Sequence, residues 1–238
     1  MELKGAVGIV TGASRGIGRA IAESLGAEGV RLVLNALTPP ALEEVAGSLR
    51  SRGVTVDALP GDVGEDGLGK RLVDLALGRH GRIDLVVNNA GIGPKGLLEE
   101  MDPSEFDRVY RTNVRGPFLL MRSAIPAMRR QRGGTIVNLA SLAGVNPVPE
   151  RAAYAATKWA LIGLSRSVLQ EVRKDGIRVI VVEPGSTLTE FGHDPRKIAQ
   201  SEKLVKPEDV AAIVVAALKL PARATISELE IRPTDPPA

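Results

Sequence analysis

Short apolar runs alternate along the chain with longer segments whose apolar positions recur every three or four residues. The runs Ala6–Val10, Arg31–Asn35, Val54–Leu59, Ile83–Asn88, Thr135–Leu139 and Ile177–Val182 are nearly continuous in apolar character. Strands covered on both faces read this way, whereas half-exposed strands alternate. A shorter run, Glu228–Ile231, closes the series. Between them the spacing predicts helices from Gly16 to near Glu28, from Thr38-Pro39-Pro40 to near Gly53, and over Glu65–Arg79. Asp102-Pro103-Ser104-Glu105 starts another: an Asp cap, Pro at the first position and Glu in the first turn. That helix is expected to run to about Arg130, kinked at Pro117 and Pro126. A further long helix covers Arg151–Lys174 and stops at Gly176, and the last spans Pro207–Leu218. Strands and helices in strict alternation imply an α/β fold: a seven-stranded parallel sheet with helices on both faces. The irregular stretch Ser186–Lys206 interrupts the order.

Composition narrows the picture. The 238 residues suit one α/β domain over 1–238 rather than two. The net charge is +3 and aromatics are 3%, so there is little to stack on bases and nucleic acid is not an expected partner. There is no Cys, hence no thiol nucleophile or thiolate metal site. His80 and His193 lack ligand spacing, so no metal is expected; His80 precedes Gly81 at a helix end. No apolar run is long enough to cross a bilayer, and a cytoplasmic location with no membrane contact is the expectation.

Two stretches carry chemistry. In Ala6–Ala20, AVGIVTGASRGIGRA, a strand runs into three glycines and then a helix. Such a turn brings the unpaired N–H groups of a helix N-terminus up to a pyrophosphate, the arrangement of a Rossmann-like, doubly wound sheet. Gly12 suits the tight turn, Gly16 close phosphate approach and Gly18 helix packing. The second stretch is Tyr154-Ala-Ala-Thr-Lys158. Side chains four apart share one helix face. A phenol with a reference pKa of about 10 is too weak an acid near neutrality, and a nearby ammonium lowers it. Asn88-Asn89-Ala90-Gly91, Ser141 and Pro184-Gly185 follow the ends of predicted strands, and Asn113 lies in the preceding helix. Open α/β sheets bind ligands at that edge.

Thr11-Gly12…Gly16-Ile17-Gly18, Asp62-Val63, Asn88-Asn89-Ala90-Gly91, Asn113, Ser141, Tyr154, Lys158 and Pro184-Gly185 with Thr189 resemble, in order and spacing, the short-chain dehydrogenase/reductase family over nearly the whole chain. The resemblance implies an oxidoreductase that interconverts a carbonyl and an alcohol. Tyr154 would be general acid or base, Lys158 would tune it and hold the nicotinamide ribose, and Ser141 would donate to the carbonyl oxygen. Asn113 would hold a water on a proton path, or relieve a kinked helix by a hydrogen bond. The cofactor set would be Gly12, Ser14, Arg15, Gly16, Ile17, Gly18, Asn35, Asp62, Val63, Asn89, Ala90, Gly91, Tyr154, Lys158, Pro184, Gly185, Thr187 and Thr189.

The end of the second strand is Asn35, where an NAD site usually has an acid. With Arg15 in the glycine turn this favours NADP(H) over NAD(H), although Leu37 stands where related NADP users often carry Arg. Ser186–Lys206, with Phe191 and Pro195, resembles a substrate lid, and with Leu142, Val145 and Val148 it suggests an aliphatic pocket for a small molecule. The family pairs its two long helices across a dimer, often within a tetramer, so a homodimer or homotetramer is expected, with Trp159 at the interface or inside the monomer. A 3-oxoacyl-carrier-protein reductase is the nearest alternative, with Arg129, Arg130, Arg132 and Arg173 as a docking patch or a solvated helix end. The segment Ala224–Thr234 departs from the Gly-Gly ending of those reductases. A non-catalytic nicotinamide-binding regulator would have no need of Asn113, Ser141, Tyr154 and Lys158 together.

Overall fold

The computed structural model describes residues 1–189, 191 and 201–235. Its strands are β1 (Val7–Thr11), β2 (Arg31–Asn35), β3 (Val56–Ala58), β4 (Leu85–Asn88), β5 (Gly134–Leu139), β6 (Ile177–Pro184) and β7 (Glu228–Ile231). The helices are α1 (Gly16–Ala27), α2 (Pro39–Ser51), α3 (Leu68–His80), α4 (Pro103–Tyr110), α5 (Gly116–Gln131), α6 (Ala152–Val172) and α7 (Pro207–Lys219). One parallel sheet has the order β3-β2-β1-β4-β5-β6-β7. The direction of winding reverses between β1 and β4, which opens a crevice at their C-terminal ends.

Alternation along each strand feeds two cores. Val10, Leu85 and Val87 pack under α1, α2 and α7 with Leu25, Leu49 and Val214. Val7, Ile9 and Val86 pack under α3, α5 and α6 with Leu72, Met121 and Val172. Each such aliphatic side chain contributes roughly 1.5–3 kcal/mol by leaving water. Continuous apolar runs therefore read correctly as strands covered on both sides.

Several expected boundaries differ. β3 is shorter than Val54–Leu59, and the helix expected from Glu65 begins at Leu68, after Gly67 at φ 85°. The helix expected over residues 103–130 is two helices joined by a π-helical turn, Arg111–Arg115. Pro126 lies inside an unbroken α5, so the break comes before Pro117 rather than at the prolines. Elsewhere the local signals hold: Asp102 caps α4 by accepting from Ser104 N–H, and Gly81 and Gly176 end their segments in left-handed conformations. His80 ends α3 with its ring nitrogen 2.9 Å from Asp57.

Candidate active site

The glycine turn is shaped by steric exclusion. Gly12 (φ 64°) and Gly16 (φ 53°) adopt left-handed backbone that side-chain-bearing residues rarely take. A Cβ on Gly18 would lie 2.3 Å from both Asn89 Nδ2 and the Gly12 carbonyl, so Gly18 serves close packing on the turn and β4. A Cβ on Gly12 would lie 2.8 Å from Ala90 Cα. Asn89 Nδ2 donates to the Thr11 and Gly12 carbonyls at 3.0 and 3.1 Å. The Thr11 hydroxyl donates to Val87 O and accepts from the N–H groups of Asn89 and Ala90. These bonds lock the ends of β1 and β4 together across the switch point.

The start of α1 fits a pyrophosphate. Its cap, Arg15, makes no side-chain cap hydrogen bond, and no acidic residue stands in the first turn. Among the described residues, no side chain caps the first N–H groups at the positive dipole end of α1. Ser14 and Ile17 are half-buried there, and Arg15 is exposed. Thr189 lies over the turn: a Cβ on Gly16 would be 3.3 Å from Thr189 Cγ2. Asn35 is fully buried and turned inward, its Nδ2 donating to Leu59 O and Gly61 O at 2.9 and 3.1 Å. Its Oδ1 is buried without a partner. Asn35 thus shapes the pocket by pinning the loop after β3, while Leu37 is exposed at the rim. In that loop Asp62 accepts from Gly64 N–H and pairs with Arg111 at 3.3 Å, and Val63 packs where a Gly116 Cβ would stand.

On the other side of the crevice, α6 carries Tyr154 and Lys158 on one face. Lys158 is buried, its Nζ donating to Leu139 O at 2.7 Å and lying 5.6 Å from the Tyr154 ring centroid. Burial lowers its ammonium to about pKa 8. Burial raises the Tyr154 phenol above its ordinary value, while a hydrogen bond with Ser141 and the charge of Arg151 pull it down. The sequence pattern assigned that pull to Lys158; Ser141 and Arg151 stand in that part here. Ser141 also caps the turn Leu142–Gly144 by accepting from Ala143 N–H, and it donates to Pro184 O at 3.4 Å.

The π turn explains Asn113. It places a buried amide whose Nδ2 donates to Ile92 O and Thr157 Oγ1, and whose Oδ1 accepts from Ile92 N–H. The side chain thus joins α6 to the loop after β4 and is largely spent. A Cβ on Gly91 would stand 3.3 Å from Asn113 Oδ1 and 3.8 Å from Lys158 Nζ, so bare backbone lies beside the ammonium. Gly185 N–H bonds Ile231 O, and the Thr187 hydroxyl bonds Gly185 O. A parallel bridge between Thr187 and Val205 brings the two ends of the expected lid side by side; its residues 190 and 192–200, with Pro195 and His193, lie outside the described residues. Phe191 packs on Tyr154 with centroids 5.6 Å apart.

Thr11, Thr157 and Arg151 were not among the residues the sequence singled out by role. Thr11 sits in the glycine motif and Thr157 beside Lys158, so proximity was a signal for both. Nothing local marked Arg151.

Known proteins arrange their chains similarly. The short chain dehydrogenase family matches residues 6–199. A 3-oxoacyl-[acyl-carrier-protein] reductase of Staphylococcus aureus is 39% identical over 184 residues, 77% of this chain and 75% of the relative. The structure of an alcohol dehydrogenase from the archaeon Thermococcus sibiricus, complexed with 5-hydroxy-NADP, superposes with TM-score 0.88 at 31% identity, covering 98% of this chain and 99% of that one. A metagenomic short-chain oxidoreductase in complex with NADP gives TM-score 0.86 at 37% identity, covering 99% and 100%.

Proposed function

Because the chain belongs to the short chain dehydrogenase family and is an NAD(P)-dependent dehydrogenase/reductase, we propose that it interconverts a carbonyl compound and the corresponding alcohol, with Tyr154 as the proton donor and acceptor. The observation that carries this reading is the meeting of three groups on one side of the crevice. Ser141 and Arg151 pull the pKa of the Tyr154 phenol down, and the buried Lys158 ammonium lies 5.6 Å from the Tyr154 ring centroid on the same helix face. When bound, the nicotinamide supplies or accepts the hydride.

The residues divide the remaining work. In reduction Tyr154 gives its proton to the carbonyl oxygen, and in oxidation it takes one from the alcohol. Ser141 donates a hydrogen bond where negative charge builds on that oxygen. Lys158, with a pKa of about 8, holds the ribose and restores the phenol's proton. The Asn113 side chain is engaged with Ile92 and Thr157, so a relay water would rest on its main-chain carbonyl. The α1 N-terminus with Gly12, Ser14, Gly16, Ile17 and Gly18 takes the pyrophosphate. Asp62, Val63, Asn89, Ala90 and Gly91 line the adenosine and ribose path, and Pro184, Gly185, Thr187 and Thr189 orient the carboxamide. The lid expected over 186–206 has its described ends, Thr187 and Val205, joined by a parallel bridge.

NADP(H) is the preferred cofactor in this reading. No acid stands at the end of β2, Arg15 is exposed beside it, and two similar structures hold NADP or a derivative. Phe106, Phe118 and Trp159 are exposed on α4, α5 and α6, which supports pairing of two copies through those helices. The S. aureus relative keeps a second reading open, reduction of a 3-oxoacyl thioester. The test is a panel of aldehydes, ketones and 3-oxoacyl thioesters, each assayed with NADPH and NADH. The reading expects a small ketone or aldehyde to be best, at higher kcat/KM with NADPH; equal or better efficiency with NADH overturns the cofactor preference, and a thioester preference favours the second reading.

A further inference from the structure

The rim of the crevice opposite the glycine turn carries a cation with no acidic partner among the described residues. Arg151 is half-buried at the start of α6, and its guanidinium donates to the Gly93 carbonyl. Gly93 sits against the reacting groups: a Cβ there would lie 2.9 Å from Tyr154 Cδ2 and 2.7 Å from Phe191 Cζ. The neighbouring acid does not neutralise Arg151. Glu150 is paired with Lys95 at 2.9 Å, and its carbonyl accepts from Gly96 N–H. Among the described residues, no carboxylate lies within ion-pairing distance of Arg151, and its remaining N–H donors have no protein acceptor.

The local backbone holds this arrangement at a cost. Glu150 adopts φ 58°, left-handed backbone that a residue with a side chain seldom takes outside functional sites. That turn aims residue 151 at the loop after β4 and ties the two rim loops together. A half-buried guanidinium is tolerated when its fork is met by an anion, and a carboxylate matches it with two parallel hydrogen bonds. Among the described residues, the other titratable groups near Arg151 are the Tyr154 phenol, the Lys158 ammonium and the Lys95–Glu150 pair. Phe191 packs on Tyr154, and Leu97 and Val148, in the loops that carry Gly93 and Glu150, are exposed.

We infer that Arg151 anchors a carboxylate of the substrate, so that the carbonyl compound handled at Tyr154 is an oxo acid and its product a hydroxy acid. This rests on the reductase reading above. The carbonyl carbon gains a hydride from the reduced nicotinamide, the oxygen gains the Tyr154 proton, and the nicotinamide is left oxidised. Arg151 forms no covalent bond. It holds the distal carboxylate, and its charge sits close enough to the phenol to favour the phenolate left after proton transfer.

The experiment assays the NADPH-loaded protein against oxo acids with the carbonyl at successive positions, each paired with its ethyl ester, for the parent, Arg151→Gln and Arg151→Lys. The parent is expected to favour one acid over its ester in kcat/KM. In Arg151→Gln that acid-to-ester ratio falls by about 30-fold or more, chiefly through KM. Arg151→Lys, which keeps the charge and loses the fork, falls between. Binding is read separately, as the rise in melting temperature that acid and ester each produce. A parent that reduces neither compound, yet is stabilised by the acid in an Arg151-dependent way, keeps the subsite and overturns the reductase reading. A ratio that moves less than about threefold, a defect shared equally by acid and ester, or no stabilisation by any acid overturns the subsite.

Discussion

The glycine-turn wall of the crevice and the rim around Tyr154 hold their shapes by different means. On the first, side chains are spent on backbone: Asn89 on the Thr11 and Gly12 carbonyls, Thr11 on β4, Asn35 on the loop after β3. Gly12 and Gly18 allow contacts that a Cβ would forbid. The rim instead joins two loops, among the described residues, through the Lys95–Glu150 ion pair, the Arg151–Gly93 and Gly96–Glu150 hydrogen bonds and a ring contact between Phe191 and Tyr154, with Leu97, Leu98 and Val148 exposed. The cofactor wall is over-determined, so it presents one shape to one ligand class. The rim has few cross-links and apolar surface to spare, which lets residues such as Arg151 set the substrate without disturbing the cofactor.

That contrast breaks most visibly at Tyr154. Tyr154→Phe should lower kcat by roughly 10²–10⁴-fold, while NADPH affinity, followed by fluorescence titration, stays within a few-fold. Parent-like turnover in this variant would remove the phenol from the mechanism.

Lys158 tests the electrostatics of the same helix. Its folded pKa of about 8 lies below the ordinary value near 10.5, so the unfolded chain binds the proton more tightly. The charged lysine therefore costs stability below pH 8, and the cost fades as pH rises towards 10.5. Lys158→Met should be more stable than the parent below pH 8 by on the order of 1–3 kcal/mol, and this advantage should shrink in urea titrations repeated at rising pH. Its turnover should be largely lost.

A Cβ tests the first wall. Gly18→Ala must push Asn89 or the Gly12 carbonyl aside from 2.3 Å. It should destabilise the protein by about 1–3 kcal/mol and weaken NADPH binding more than it changes acid-to-ester selectivity. Equal loss of both would mean that the two walls are not independent.

The smallest effect is expected on the rim. Glu150→Gly relieves left-handed strain but loses the Lys95 pair, so stability should change by less than about 1 kcal/mol. Substrate KM should rise a few-fold with NADPH affinity unchanged.

Much of this was legible in the amino-acid order alone. The sheet was readable because strands buried on both faces must be apolar throughout. The helix ends at Asp102, Gly81 and Gly176 were readable because capping is local chemistry. Tyr154 and Lys158 were readable as neighbours on one face because four residues on a helix is about one turn. Tertiary structure decided the rest. The π turn at Asn113 depends on Ile92 and Thr157, which lie far away in sequence. The inward turn of Asn35 depends on two carbonyls beyond β3. Arg151 looked like any charged helix start until the fold brought Gly93 and Tyr154 beside it and left it without a carboxylate among the described residues. Periodicity and caps record interactions within a few residues; which long-range partner a polar side chain meets, or lacks, is set only when the strands and loops converge.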